Sequence, residues 1–221
     1  FLISLEKFNS QKEITLVIGT IYEDLSRLKI LLSKLNDNIY YLNQIICVIS
    51  GINNPQKIQE VSKLKEITNI KIDITCIEKI LMPGEARNIG IRQSQAKYIC
   101  FLDSYTLPDK NWISNSIKIL EEKNLRGVLG KSKFIPTNEF EDCFISATYG
   151  NFPLTSIPGT LIEKELLREI GFFLPNHRSG EDAEWMNRSK NFYSNLIQSS
   201  VIPIKYIGLK GKNFSYLCKK W

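Results

Sequence analysis

The chain is poor in the residues that usually build metal cages and disulfide frameworks. It has one histidine, His177, and no Cys-x-x-Cys pair in 221 residues. The five cysteines (47, 76, 100, 143 and 218) are odd in number. Cys47, Cys76 and Cys100 fall inside apolar runs, where a thiol behaves as a small hydrophobe. This usage points away from a metal cluster or disulfide framework and towards a reducing, cytoplasmic compartment. No apolar run approaches the roughly 18 residues of a membrane span. The segment Phe1–Glu6 lacks the basic-then-apolar layout of a secretion signal. No Gly-x-Gly-x-x-Gly follows a strand-like run, which disfavours a dinucleotide dehydrogenase. Nucleic-acid binding has no motif behind it, only charge. Internal repeats and long linkers are missing too, so one domain over 1–221 is the economical reading, with a core at about 14–207 and a tail at 208–221. The absence of an initiating Met suggests a fragment of a longer protein.

What is present is ordinary core-forming material, 43% hydrophobic and 24% charged, with a net charge of +6 and pI of about 9.0. Such an excess suits an anionic ligand or an anionic membrane face. Lys210, Lys212, Lys219 and Lys220 near Trp221 make a basic tail, which allows a weak peripheral contact at the inner face of a membrane.

Hydrophobic periodicity alternates between strand and helix. Strands are expected at 14–18, 44–50, 70–77, 97–102, 128–135 and 201–207. Helices are expected around Leu25–Leu35, over 56–67, from Pro83, after a cap at Asp109, over 163–170 and over 181–194. The Gly/Pro-rich 150–160 stretch reads as an ordered loop. Repeated βα units imply an α/β fold: a mostly parallel central sheet flanked by helices on both faces. In such sheets ligands collect beyond the carboxyl ends of the strands. Strand 97–102 ends on Asp103 there, and Gly180–Trp185 sets a second acidic cluster, Glu181, Asp182 and Glu184, at a helix start.

Three stretches in order carry a resemblance. Gly84-Glu85-Ala86-Arg87-Asn88-Ile89-Gly90 leads into Tyr98-Ile99-Cys100-Phe101-Leu102-Asp103-Ser104-Tyr105. Pro158–Ile162 leads into Glu169–Phe173, and Gly180-Glu181-Asp182-Ala183-Glu184-Trp185 follows. Together they resemble family 2 glycosyltransferases, the nucleotide-diphospho-sugar transferases of GT-A fold, from about Ile14 to Ile207. The resemblance implies a sugar moved from a nucleotide-diphosphate donor to a glycan or lipid-linked acceptor, with inversion, in cell-surface polysaccharide synthesis.

It assigns the general base to Asp182 and a divalent cation, Mg²⁺ or Mn²⁺, to Asp103. Donor contacts are expected from Thr20, Tyr22, Ser50, Arg87, Asp103 and Tyr105, and acceptor contacts from Glu181, Trp185 and Arg178. Plainer roles stand beside these: first-turn acids steadying a helix, a turn aspartate, a surface arginine, a core tryptophan. Two departures bear on function. The second strand ends on Ile49-Ser50-Gly51-Ile52, without the acid the family places there for the base. Tyr105 stands where the metal motif has its second Asp, which weakens the cation site. A non-catalytic sugar- or nucleotide-binding relative and a nucleotidyltransferase remain as alternatives.

Overall fold

The computed structural model describes residues 13–35 and 40–209. The basic tail from Lys210 and the segment Phe1–Glu6 lie outside them. Nine strands form one sheet: β1 (Ile14–Ile21), β2 (Leu42–Ser50), β3 (Lys71–Ile77), β4 (Tyr98–Leu102), β5 (Thr106–Leu107), β6 (Gly127–Ile135), β7 (Leu154–Glu163), β8 (Ile197–Ser199) and β9 (Ile204–Ile207). The helices are α1 (Leu25–Lys34), α2 (Pro55–Ser62), α3 (Pro83–Gln93), α4 (Trp112–Glu122), α5 (Glu139–Thr148), α6 (Lys164–Ile170) and α7 (Glu181–Tyr193). None of these helices is long and apolar enough to cross a membrane.

The sheet order is β3-β2-β1-β4-β7-β6-β9-β5, with β8 also paired to β6. β3, β2, β1 and β4 are parallel, and β7 runs against both β4 and β6. β6 and its parallel partner β9 therefore point the same way as β1. The carboxyl ends of β1, β2, β4, β6 and β9 share one rim.

The inner strands read as near-continuous apolar runs because both of their faces are covered. Leu28, Leu31 and Leu32 of α1, Val61 of α2 and Trp112 of α4 pack on one face. Ile91 of α3, Leu166 and Leu167 of α6 and Trp185 of α7 pack on the other. β3 lies at the edge, so Cys76 is exposed, unlike the buried Cys47 and Cys100 with which its apolar run had grouped it.

Three local expectations need correction. The 150–160 stretch is mostly strand: β7 runs through Pro158 and Gly159, where the β6–β7 register shifts. Gly159 has φ +88°, and Thr160 Oγ1 accepts from Gly130 N at 2.9 Å. A bulge has no use for the missing proline N–H and admits a left-handed glycine, so these residues punctuate a strand instead of ending it. Asp109 does not cap α4 directly; the helix begins after Asn111, whose N–H donates to Asp109 Oδ1 at 2.8 Å. The final expected strand, 201–207, shortens to β9, and β8 precedes it as a separate strand.

α3 is the element that matters most for the site. Pro83 opens it, and Glu85 accepts from the Met82 N–H at 2.8 Å. Its close seat on the sheet depends on Gly90, where an added Cβ would stand 2.4 Å from Val17 Cγ1. Val17 is fully buried and cannot yield. Gly90→Ala should therefore lower stability by about 1–3 kcal/mol despite alanine's better helix propensity. The midpoint of urea unfolding measures it; a neutral or stabilised variant would show that α3 sits further from β1.

Candidate active site

α1 and α2 cross on one face of the sheet and α3 on the other, so the switch in winding falls between β1 and β4. A crevice outside the carboxyl ends is expected at that point. Thr20 and Tyr22 leave β1 there, Ser50 and Gly51 leave β2, and Asp103 and Ser104 leave β4. α3 brings Arg87 and the start of α7 brings Glu181 and Asp182.

Arg87 joins these pieces. Its Nη1 donates to Asp182 Oδ1 at 2.6 Å and to Glu181 Oε1 at 3.1 Å, and its Nη2 to Asp103 Oδ1 at 3.4 Å. The Arg87 and Glu181 side chains are 6% and 5% exposed, against 26% for Asp103 and 32% for Asp182. The two aspartates thus line the opening while Arg87 and Glu181 stand behind them. Burial alone would lower the Arg87 pKa; Asp182, then Asp103 and Glu181, raise it overall, so the guanidinium stays charged. Burial, followed by the charge and hydrogen bond of Asp182, pushes the Glu181 carboxyl up to about 7 against the pull of Arg87.

The floor under this cluster is fixed by Asn88. Its side-chain amide donates to Phe173 O at 2.8 Å and accepts from Phe173 N at 3.0 Å. Asn88 therefore ties α3 to the segment entering α7. The Phe173 ring lies 5.3 Å from the Arg87 guanidinium carbon. Arg188 holds the other side of that segment through Ile170 O and Phe172 O while pairing with Glu184.

The remaining candidates divide. Thr20 is nearly buried, with its hydroxyl donating to Ser104 Oγ at 3.2 Å. Ser50, expected to touch the donor, is 1% exposed and donates to Thr20 O at 3.4 Å, so it braces the wall. Tyr22 is half-buried; its hydroxyl donates to Glu60 at 2.6 Å and Lys57 sits over its ring at 4.6 Å. Tyr105 donates to Asp24 Oδ1 at 3.0 Å, stacks on Tyr206 at 5.9 Å and carries Arg27 over its ring at 4.0 Å. Trp185 is fully buried, 5.3 Å from Phe173, and donates to Gly171 O at 2.8 Å. It has no face to offer an acceptor; the apolar side of α7 claims it. Arg178 and His177 are exposed in the stretch before α7.

Three residues at this rim escaped the sequence. Asp24 follows β1 and holds Tyr105. Glu23 reaches to 3.8 Å from where a Cβ on Gly51 would lie, which places a carboxylate beside the end of β2 after all. Tyr206 of β9 is close enough to Asp103 and Asp182 for their charges, after burial, to raise its phenol pKa well above the ordinary value. No motif marks any of the three; only the strand order brings them here.

Two measurements test this electrostatic arrangement. Glu181 titrates at about 7 when folded and near 4.5 otherwise, so its favourable contribution is complete below about pH 4.5 and lost as pH rises through about 7. Glu181→Gln should flatten the fall in unfolding free energy over that interval, and an unchanged slope would refute it. Arg87→Met leaves the buried acid uncompensated and should cost about 3–5 kcal/mol in the same titrations.

Comparison with known proteins agrees with this geometry. The sequence matches glycosyl transferase family 2 over residues 16–183. An uncharacterized glycosyltransferase of Rickettsia bellii is 27% identical over 146 residues, 61% of this chain and 20% of that protein. One of Rickettsia conorii is 33% identical over 114 residues, 45% of this chain and 18% of that protein. The chain thus spans about a fifth of the length of these relatives. Among solved structures, Staphylococcus aureus TarS 1–349 in complex with UDP-GlcNAc superposes with a TM-score of 0.66 at 16% identity, covering 91% of this chain and 60% of that one. The Pyrobaculum calidifontis mannosyltransferase PcManGT, in complex with GDP-Man and Mn²⁺, gives 0.62 at 13% identity over 96% and 61%. These likenesses establish the GT-A fold, and the family match establishes that the chain belongs to glycosyl transferase family 2.

Proposed function

We propose that the crevice holds a nucleotide-diphosphate sugar, with Asp182 as general base and Asp103 at the diphosphate. The observation that supports this is that both aspartates, 79 positions apart in sequence, contact one guanidinium at the open side of the same cleft. An acceptor hydroxyl attacking the anomeric carbon must lose a proton as the diphosphate leaves. A positioned carboxylate contributes about 10²–10⁴-fold to such a step. One displacement from the face opposite the leaving group inverts the anomeric centre. Tyr22 and Glu23 border the end where the nucleoside would lie.

Charge explains why a cation belongs in this reading. Three carboxylates and one guanidinium carry a formal charge of −2 (−3 + 1), or −1 with Glu181 protonated. A diphosphate would meet like charge on entering. Asp103 has the longest of the three contacts to Arg87 and a quarter of its side chain exposed, which suits a ligand for Mg²⁺ or Mn²⁺ shared with donor phosphates. Among the described residues no group of three His, Cys, Asp or Glu converges as a cage, so Asp103 would hold the ion with the donor's help. Such an ion supplies positive charge to the departing diphosphate. Tyr105 has no carboxylate to add there, and its hydroxyl is directed to Asp24.

In the arrangement described, Asp182 Oδ1 is engaged by Arg87 at 2.6 Å and so is not open to an acceptor hydroxyl. Donor phosphates offer Arg87 another anionic partner and so loosen that hold. The same contact favours a second reading, a relative that binds donor without turnover. The acceptor is a glycan or lipid-linked sugar in the transferase reading, and a role in cell-surface polysaccharide synthesis rests on the family resemblance.

Thermal shifts with UDP, GDP and their sugars, each with Mn²⁺, Mg²⁺ or EDTA, identify the donor class. At least one should raise the melting point with metal and not with EDTA. Asp182→Asn should keep that shift while donor hydrolysis or transfer falls at least about 10²-fold. Full activity in Asp182→Asn would sink the assignment, and binding without any turnover in the parent chain would favour the second reading.

A further inference from the structure

A row of aromatic rings leaves the cleft on the side away from α7. Tyr105 stacks on Tyr206 at 5.9 Å, Tyr206 meets Phe134 at 5.0 Å, and Phe134 stacks on Tyr149 at 4.2 Å. Phe144 and then Phe140 of α5 extend the row, each step 6.4 Å between centroids. These last two pairs are inclined by 64° and 31°, so their ring faces are not consumed by stacking. All six rings are half-buried. None belongs to the apolar clusters under the sheet's two faces.

Topology puts this row at the reacting end. β6 and β9 run parallel to β1, so Phe134 and Tyr206, paired in register, lie towards the rim that carries Asp103. α5 follows β6 at that rim. Buried Glu141 pins it by accepting from Thr137 N at 2.7 Å and from Leu209 N just beyond β9 at 2.9 Å. Of the apolar side chains of α5, only Ile145 is buried, an unusual economy for a helix built into a domain. Exposed Phe152 and Leu154, at 82% and 40%, continue the surface beyond Tyr149. Contiguous exposed apolar surface of this kind marks a binding site.

We infer that this strip is the acceptor track: it holds the saccharide rings of a glycan chain beyond the sugar whose hydroxyl reacts. The inference rests on the transferase reading above. Three features choose the occupant. The strip is continuous with the cleft, so whatever lies on it is joined to the group at Asp182. The Tyr149 phenol beside Phe144 and Phe140 sets a hydrogen-bonding oxygen among ring surfaces, the combination that pyranoses present in return. The first turn of α5 carries Glu139, Glu141 and Asp142, an acidic end unsuited to a phospholipid headgroup or a prenyl diphosphate.

Saturation-transfer NMR on the full chain tests this with maltotetraose, cellotetraose, chitotetraose and mannotetraose, each against its monosaccharide. At least one tetrasaccharide should bind about tenfold or more tightly than its monomer. Phe144→Ala or Tyr149→Ala should remove about that factor, equivalent to about 1.4 kcal/mol. Phe192→Ala, which removes a more exposed ring at the far end of α7, should change nothing. Where Phe144→Ala fails to fold, Phe144→Leu keeps the apolar bulk and removes the ring. Binding to none of the four, or binding indifferent to the α5 variants, overturns the track. So does binding of phosphatidylglycerol vesicles or farnesyl phosphate that these variants abolish. UDP and GDP thermal shifts on the same samples separate the two ideas: nucleotide binding with no glycan binding defeats the track and leaves the transferase standing, whereas the reverse defeats the transferase reading.

Discussion

A buried guanidinium among three carboxylates is the constraint around which the rest of this rim is arranged. Arg87 cannot give up its charge, and a charge that far from water must be matched. Asp182, Glu181 and Asp103 match it from two other elements, α7 and the end of β4. The pairing therefore sets how α3, β4 and α7 meet. It overshoots neutrality: burial, and then the neighbouring Asp182, raises Glu181, and the surplus of negative charge calls for positive charge to accompany an anionic ligand. Stability and chemistry thus draw on one set of atoms.

The supporting structure is arranged to keep that cluster still. Gly90 lets α3 approach Val17, Asn88 fixes the Phe173 backbone, and Arg188 fastens the neighbouring carbonyls. The Phe173 ring lies under the guanidinium, and Trp185 packs behind Phe173. Burial of Trp185 is what fixes the direction in which the first turn of α7 presents its acids. A tryptophan at the surface, reaching for a ligand, would leave that helix without its deepest anchor.

Much of this was legible in the residues and some was not, for physical reasons. β1, β2 and β4 announce themselves because strands covered on both faces must be apolar throughout, and Pro83 marks α3 because a first-turn proline loses no hydrogen bond. α5 gave no signal, since it buries little beyond Ile145 and Glu141. β7 was hidden by Pro158 and Gly159, whose usual meaning as loop residues is reversed at a bulge. The acidic motifs located Asp103 and Asp182 correctly at the rim. That Ser50 would turn into the wall, and that Tyr206 would stand among the charges, depends on pairings between distant strands that no local pattern encodes.

The double bond between Asn88 and Phe173 has a wider consequence. A single side chain there imitates the rung of a sheet, offering a donor and an acceptor at a spacing set by one amide. Aspartate lacks the donor, leucine lacks both, and glutamine carries the same group one carbon too far. Each of these replacements would therefore lose the paired rung for reasons of stereochemistry, before any demand of catalysis is considered.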